Sequence, residues 1–175
     1  MGVTYWETRY AAGGNSGKGS RDWFAEEKAR LVNEVLGRHQ ISTVLDLGCG
    51  DGYVASLLLV GPGYLGVDPS PSALAQARSR NPDLAFETEA PGPRDAHLSL
   101  DVIRHLVDDT DYHRYMGRLF SATRLVLVWS SDVDAWTAPH DRQRHWTSDI
   151  PEDWQIESEL EIVGINSRFY VLVHS

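Results

Sequence analysis

Apolar positions in this chain alternate between helical and strand-like spacing. From Trp23 to Arg38, Phe24, Lys28, Leu31, Val35 and Leu36 fall on one mainly apolar helical face, with Ser20 or Asp22 placed to cap it. Ile41 to Leu47 is β-branched and apolar and reads as a strand that stops at a glycine cluster. Tyr53 to Val60 is expected to be a helix. Gly63 to Val67 is a short second strand, ended by Asp68-Pro69-Ser70-Pro71, and Pro71 suits the first turn of a helix running to about Arg80. A weaker third strand is expected over Asp83 to Glu87, a loop at Pro91-Gly92-Pro93, and a fourth strand over Ala96 to Leu100. Helical segments over Val102 to Val107 and Asp111 to Ala122 follow. Arg124 to Trp129 is a nearly all-apolar fifth strand, the pattern of a sheet covered on both faces. Beyond a polar loop from Ser130 to about Thr147, two strands, Trp154 to Val163 and Arg168 to Val173, meet at Gly164-Ile165-Asn166-Ser167.

Strands alternating with helices predict an α/β fold: a doubly wound, mostly parallel seven-stranded sheet with helices on both faces. The last two strands are joined too tightly for a parallel crossover, so the C-terminal edge is antiparallel. The expected division is an N-terminal lid segment over 1–21 and one domain over 22–175. Length, at 175 residues, fits one core. The balance of 16 Lys and Arg against 25 Asp and Glu gives a net charge of -9, which weighs against a nucleic-acid partner and favours a small molecule. Cys49 is the single cysteine, so no internal disulfide is possible. The amino terminus has no signal-like pattern and the apolar runs are too short for a bilayer, so a cytoplasmic location without membrane contact is expected. A homodimer is compatible with the sequence.

The stretch Val44-Leu45-Asp46-Leu47-Gly48-Cys49-Gly50-Asp51-Gly52 carries the most chemistry. Three alternating glycines after a buried strand allow positive φ and let a ligand approach the main chain. The helix expected next would offer free N–H groups to an anionic group. Asp68 ends the neighbouring strand at about the offset that suits a group holding ribose hydroxyls. The pattern is G-x-G-x-G, with Tyr53 where a dinucleotide fingerprint has its last glycine, which disfavours NAD and FAD.

VLDLGCGDG followed by YLGVDPS resembles the first two motifs of the class I S-adenosylmethionine-dependent methyltransferases. That resemblance implies S-adenosyl-L-methionine as cofactor. It places Gly48, Cys49, Gly50 and Gly52 along the methionine part, Asp46 beneath the loop, Asp68 and Pro69 at the ribose, and Glu89 near the adenine. The opening Tyr5-Trp6…Arg9-Tyr10…Gly13 to Ser20, and Leu98 to Leu106, also resemble a narrower group of small bacterial methyltransferases.

Methyl transfer needs alignment, desolvation and, for some acceptors, a base. Asp101 at the end of the fourth strand and His105 one turn later are the catalytic candidates; Asp101 also suits an N-cap and His105 a loop brace. Tyr10, His140, Arg142 and Arg144 are candidate acceptor-binding residues, the last three in a locally basic loop that fits an anionic acceptor or internal ion pairs. His140 and His145 make a poor metal signature. Asp101, Asp132 and Asp134 offer oxygen ligands for Mg²⁺, yet no metal site is assigned. Gly13 to Ser20 superficially resembles a P-loop but lacks its first glycine and a preceding strand, and reads better as a hinged lid topped by Tyr5, Trp6 and Tyr10. The expected function is O- or N-methylation of a small molecule; the alternatives are RNA or protein methylation and a non-catalytic cofactor-binding module.

Overall fold

The computed structural model describes residues 2–89, 91–162 and 166–175. Helix α1 (Gly2–Ala11) leads through a glycine-rich loop into α2 (Asp22–Arg38). Then come β1 (Val44–Leu47), β2 (Tyr64–Val67), α3 (Pro71–Arg80), β3 (Ala85–Glu87), β4 (Ala96–Leu100), α4 (Asp109–Leu119) and β5 (Leu125–Ser130). A hairpin of β6 (Ala135–Ala138) and β7 (Asp141–Gln143) precedes the long closing pair β8 (Trp154–Glu161) and β9 (Arg168–His174). The main sheet has seven strands in the order β3-β2-β1-β4-β5-β9-β8. Strand β9 runs antiparallel to β5 and to β8; the rest of the pairings are parallel.

Both faces of the sheet are covered, as the apolar strands require. Residues Leu31, Val32, Val35 and Leu36 of α2 and Leu74 of α3 pack against Val44, Tyr64, Leu98 and Leu127. On the opposite face Tyr112, Met116 and Leu119 of α4 meet Leu45, Val126 and Val128, with Trp146 and Trp154 filling the edge. Strand order reverses between β1 and β4, which opens a crevice at their carboxyl ends. Among the described residues, no helix is long and apolar enough to cross a membrane.

Several local expectations are corrected. The helix expected over Tyr53 to Val60 is a set of turns with a three-residue 3₁₀ segment, Ala55–Leu57. Asn33 of α2 explains the stop: its amide donates to the Leu57 carbonyl at 3.1 Å and accepts from Leu59 N–H at 2.7 Å, capturing groups a longer helix would pair internally. The segment after β4 is likewise a 3₁₀ turn, Ile103–His105, and α4 begins at Asp109 with Asp108 accepting from Asp111 N–H as its cap. Neither Ser20 nor Asp22 caps α2; Arg21 holds the cap position without a side-chain bond. Ser70, ahead of Pro71, does cap α3 by accepting from Ala73 N–H at 3.0 Å. The polar loop after β5 contains the β6–β7 hairpin. Of the predicted turn between the last strands, Gly164 and Ile165, with Val163 before them, lie outside the described residues.

Candidate active site

The glycine loop is required by backbone and neighbours together. Past Leu47, Gly48 N–H and Cys49 N–H both donate to the Val67 carbonyl, at 2.8 and 3.0 Å, tying the turn to the end of β2. Gly48, Gly50 and Gly52 have φ of +84°, +54° and +68°, a region that costs other L-residues about 1–2 kcal/mol each. A Cβ on Gly48 would lie 2.5 Å from the Val102 side chain; one on Gly50, 2.5 Å from Ser16 Oγ; one on Gly52, 2.9 Å from Ala77 Cβ.

Asp68 turns its carboxylate back onto this loop. Oδ2 accepts from Gly50 N–H at 3.1 Å and Oδ1 from Ser70 N–H at 2.9 Å. Burial pushes its pKa up to about 6; the two N–H bonds pull it down, and the charges of Glu7 and Asp51 push it up. Each oxygen retains a lone pair for a further donor. Asp46 lies beneath the loop, 3% exposed, where it accepts from the Tyr64 hydroxyl at 2.8 Å and burial raises its pKa to about 6. Burial, with Asp46 and Asp68 nearby, also pushes the Cys49 thiol well above its usual range. Asp46, Gly48, Cys49, Gly50, Gly52 and Asp68 therefore form one cluster. Pro69 is exposed beside Asp68, and Glu89 is exposed two residues past β3.

The N-terminal residues pack directly onto this cluster. Glu7 of α1 reaches the start of α3, accepting from the Ser70 and Ser72 hydroxyls at 2.6 Å each, and these bonds hold its carboxyl below the usual range. Gln76 of α3 donates to the Tyr10 and Gly14 carbonyls at 3.2 and 3.3 Å. Ser16 Oγ donates to Asp51 at 3.0 Å and shares a hydrogen bond with the Tyr10 hydroxyl at 2.9 Å. Asp51 is fully buried; it takes the Arg21 guanidinium, and Arg80 lies 3.6 Å away. Tyr10 thus sits against the glycine loop.

At the end of β4, Asp101 has φ of +66° and its N–H donates to the Trp129 carbonyl at 2.9 Å, which aligns the ends of β4 and β5. It does not cap a helix; its carboxylate pairs with Lys28. His105 Nδ1 lies 3.1 Å from the His140 carbonyl. A carbonyl can only accept, so the proton sits on Nδ1 and the lone pair on Nε2. Burial pulls the His105 pKa below its usual value, against the carbonyl bond and the charge of Asp141, so the ring is neutral near pH 7. Trp6 meets His105 edge-on at 4.9 Å between ring centroids, and Tyr5 stacks on His140 at 4.1 Å.

The basic loop is internally paired. Arg142 and Arg144 both reach Asp109, at 2.7 and 2.8 Å, and Arg144 also donates to the Leu106 carbonyl at 3.0 Å. Arg104 engages Asp141. These guanidiniums brace the β6–β7 hairpin against the start of α4 and the turn before it. Asp132 accepts from the Thr147 hydroxyl at 2.8 Å. Among the described residues, no three His, Cys, Asp or Glu side chains gather as metal ligands. Sequence reasoning passed over Glu7, Ser16, Arg21, Lys28 and Asp51. The one available signal was Asp51, an acidic residue flanked by two glycines that both take positive φ.

Asp68, held by Gly50 N–H and Ser70 N–H, keeps spare acceptor capacity beside the glycine loop. Residues 44–124 match the family model described as a methyltransferase domain. A trans-aconitate 2-methyltransferase of Methylobacterium nodulans is 41% identical over 70 residues, covering 37% of this chain and 27% of that protein. A probable S-adenosylmethionine-dependent methyltransferase of Mycobacterium tuberculosis is 31% identical over 114 residues, covering 61% and 41%. The chain thus spans less than half the length of these curated relatives. In fold it is similar to the N-methyltransferase NodS of Bradyrhizobium japonicum in complex with S-adenosylhomocysteine, with a TM-score of 0.77, 13% identity and coverage of 99% and 98%. Magnesium protoporphyrin IX methyltransferase of Synechocystis with bound S-adenosylmethionine gives a TM-score of 0.68 at 17% identity, covering 100% and 92%. Glycine loop, paired carboxylates, strand order and relatives converge on the class I S-adenosylmethionine-dependent methyltransferases, which this chain resembles in its fold and over residues 44–124.

Proposed function

We propose that the chain methylates the oxygen or nitrogen of a small-molecule acceptor, with His105 as general base and residues 1–21 as a lid over the cofactor. Bound S-adenosylmethionine supplies an activated methyl group for in-line displacement. Asp68 holds the ribose through its free lone pairs, and Gly48 and Gly50 let the methionine part lie against bare backbone. His105, neutral and with its lone pair on Nε2, packs edge-on against Trp6 and accepts the proton that the acceptor loses. The observation that carries the reading is the Asp68–Gly50 bond, because it orients an otherwise costly buried carboxylate at the carboxyl end of β2 against the loop that follows β1. The internal pairing of Arg104, Arg142 and Arg144 supports a small acceptor over a polyanionic one, since little of that loop's positive charge is left for a phosphate backbone.

The test is calorimetry with S-adenosylhomocysteine, followed by release of the labelled product from methyl-labelled donor in a metabolite mixture. Asp68→Ala removes an ionised acceptor of two hydroxyl donors and should weaken donor binding by at least about thirtyfold, or about 2 kcal/mol. Unchanged affinity would remove the seat and the activity with it.

A further inference from the structure

Lys28 is 0% exposed, an uncommon state for a lysine. It sits on the inner face of α2 among Ala25, Ala29 and Val32, where periodicity alone would place an aliphatic residue. Its ammonium is held by three groups from three parts of the chain. It donates to the Gly19 carbonyl in the N-terminal loop and to Asp101 Oδ2 at the end of β4, and lies 5.1 Å from the centroid of the Trp129 ring on β5. Gly19 lies close against Asp101: a Cβ there would sit 2.8 Å from Asp101 Oδ2. Asp101 itself holds a positive φ that few non-glycine residues adopt, so something outside its own backbone preference keeps it there.

We propose that Lys28 is a positioning residue that couples closure of the N-terminal lid to the placement of Asp101, because one buried ammonium bonds both the Gly19 carbonyl and the Asp101 carboxylate. This inference rests on the proposed lid and on Asp101 lying in the reaction cleft. A buried ammonium is tolerated only while it is paired. If the lid lifts, the Gly19 carbonyl leaves, and Lys28 keeps Asp101 as its remaining ionic partner. When the lid closes, the carbonyl and carboxylate divide the ammonium's donors, and Asp101 is fixed next to Val102, whose side chain already limits Gly48. Lid order and reactive-site order thereby become one equilibrium, and ligand binding that favours either one favours both. Lys28 touches neither ligand in this scheme; it acts through Asp101 and the lid.

The experiment measures tryptic cleavage after Lys18 and Arg21, the calorimetric affinity for S-adenosylhomocysteine, and the thermal midpoint. The variants are Lys28→Met, Lys28→Arg, Gly19→Ala and Asp101→Asn, with the Lys28→Met/Asp101→Asn double variant. Lys28→Met should speed cleavage of the ligand-saturated protein and weaken binding by about tenfold. Gly19→Ala, which disturbs the same triad without touching the core, should do both with an unchanged thermal midpoint, and so carries the test if Lys28→Met fails to fold. Lys28→Arg, keeping the charge, should recover part of the protection. On the Asp101→Asn background, Lys28→Met should add no further loss of affinity. Wild-type cleavage and affinity in Gly19→Ala and Lys28→Met, or fully additive losses in the double variant, overturn the coupling. Asp68→Ala, measured alongside, separates the two levels: if it abolishes binding while the Lys28 and Gly19 variants are silent, only the coupling falls. If Asp68→Ala binds as wild type does, the cofactor seat falls.

Discussion

Alanine at Gly50 and at Gly52 should give opposite kinds of damage, although the two glycines are two residues apart and share a left-handed backbone. Each substitution incurs the positive-φ penalty, about 1–2 kcal/mol. The steric part differs. At Gly50 the new methyl would lie 2.5 Å from Ser16 Oγ and 2.8 Å from the Tyr10 hydroxyl, both in the N-terminal segment, which packs on the surface of the domain and can retreat. At Gly52 it would lie 2.9 Å from Ala77 Cβ and 3.0 Å from Ala77 Cα, in the middle of a core helix whose residue 77 is 0% exposed. A helix backbone cannot yield without repacking the core, which adds about 1–3 kcal/mol. Gly52→Ala should therefore lose about 2–5 kcal/mol of global stability, and Gly50→Ala only about 1–2 kcal/mol, with the remainder of its clash relieved by displacing residues 10–21. Urea unfolding at constant m-value reads the first quantity. Limited trypsin digestion at Arg9, Lys18 and Arg21 reads the second. Gly50→Ala should be cut several-fold faster than wild type under native conditions, and Gly52→Ala only in proportion to its lost stability. Equal unfolding midpoints for the two variants, or an N-terminal segment as protected in Gly50→Ala as in wild type, would refute this division of the loop.

Affinity for S-adenosylhomocysteine should rise as pH increases through about 6. Asp68 is raised by burial, so the unliganded protein keeps it partly protonated there, whereas ribose hydroxyls favour the carboxylate; binding then releases a proton, and Asp68→Asn should flatten the profile. His97 is buried, with Nδ1 3.0 Å from the Arg118 and Leu119 carbonyls and Nε2 accepting from Arg94 N–H, and burial lowers its pKa. A histidine depressed in the folded state contributes stability that is present above its unfolded pKa and lost as pH falls through its folded one, so acid unfolding of the wild type should begin below about pH 6.5. His97→Gln, titrated by circular dichroism, should shift that onset; an unshifted curve would exclude His97 as its source. His105→Ala should lower turnover by about a hundredfold or more while leaving donor affinity within a few-fold, measured by labelled methyl transfer once an acceptor is in hand; equal turnover would remove it as the base.

The sheet was legible because burial on both faces leaves long apolar runs, and Leu125 to Trp129 advertises a central strand in a way that no helix of that length would. The glycine loop was legible because positive φ is written in the sequence as glycine. Elements that depend on partners distant in sequence were not. Nothing between Tyr53 and Val60 shows that Asn33, more than twenty residues earlier, takes the backbone groups a helix would use. The arginines after β5 stayed open between an anion site and internal ion pairs because Asp109, which pairs Arg142 and Arg144, sits more than thirty residues away on another element. The same blindness hid the fastenings of the N-terminal segment. Glu7, Ser16 and Arg21 are ordinary surface types in sequence, and only the fold reveals that they end on α3 and on Asp51. Asp101 is the instructive case, since its position at a strand end was visible but its strained backbone and its counter-charge were not. Asp101 combines a φ of +66° with an ion pair to a lysine of a preceding helix, so the end of β4 is shaped from outside the motifs around it. Variation in α2 and in residues 1–21, with the glycine loop left intact, should therefore change how this domain closes before it changes what it binds.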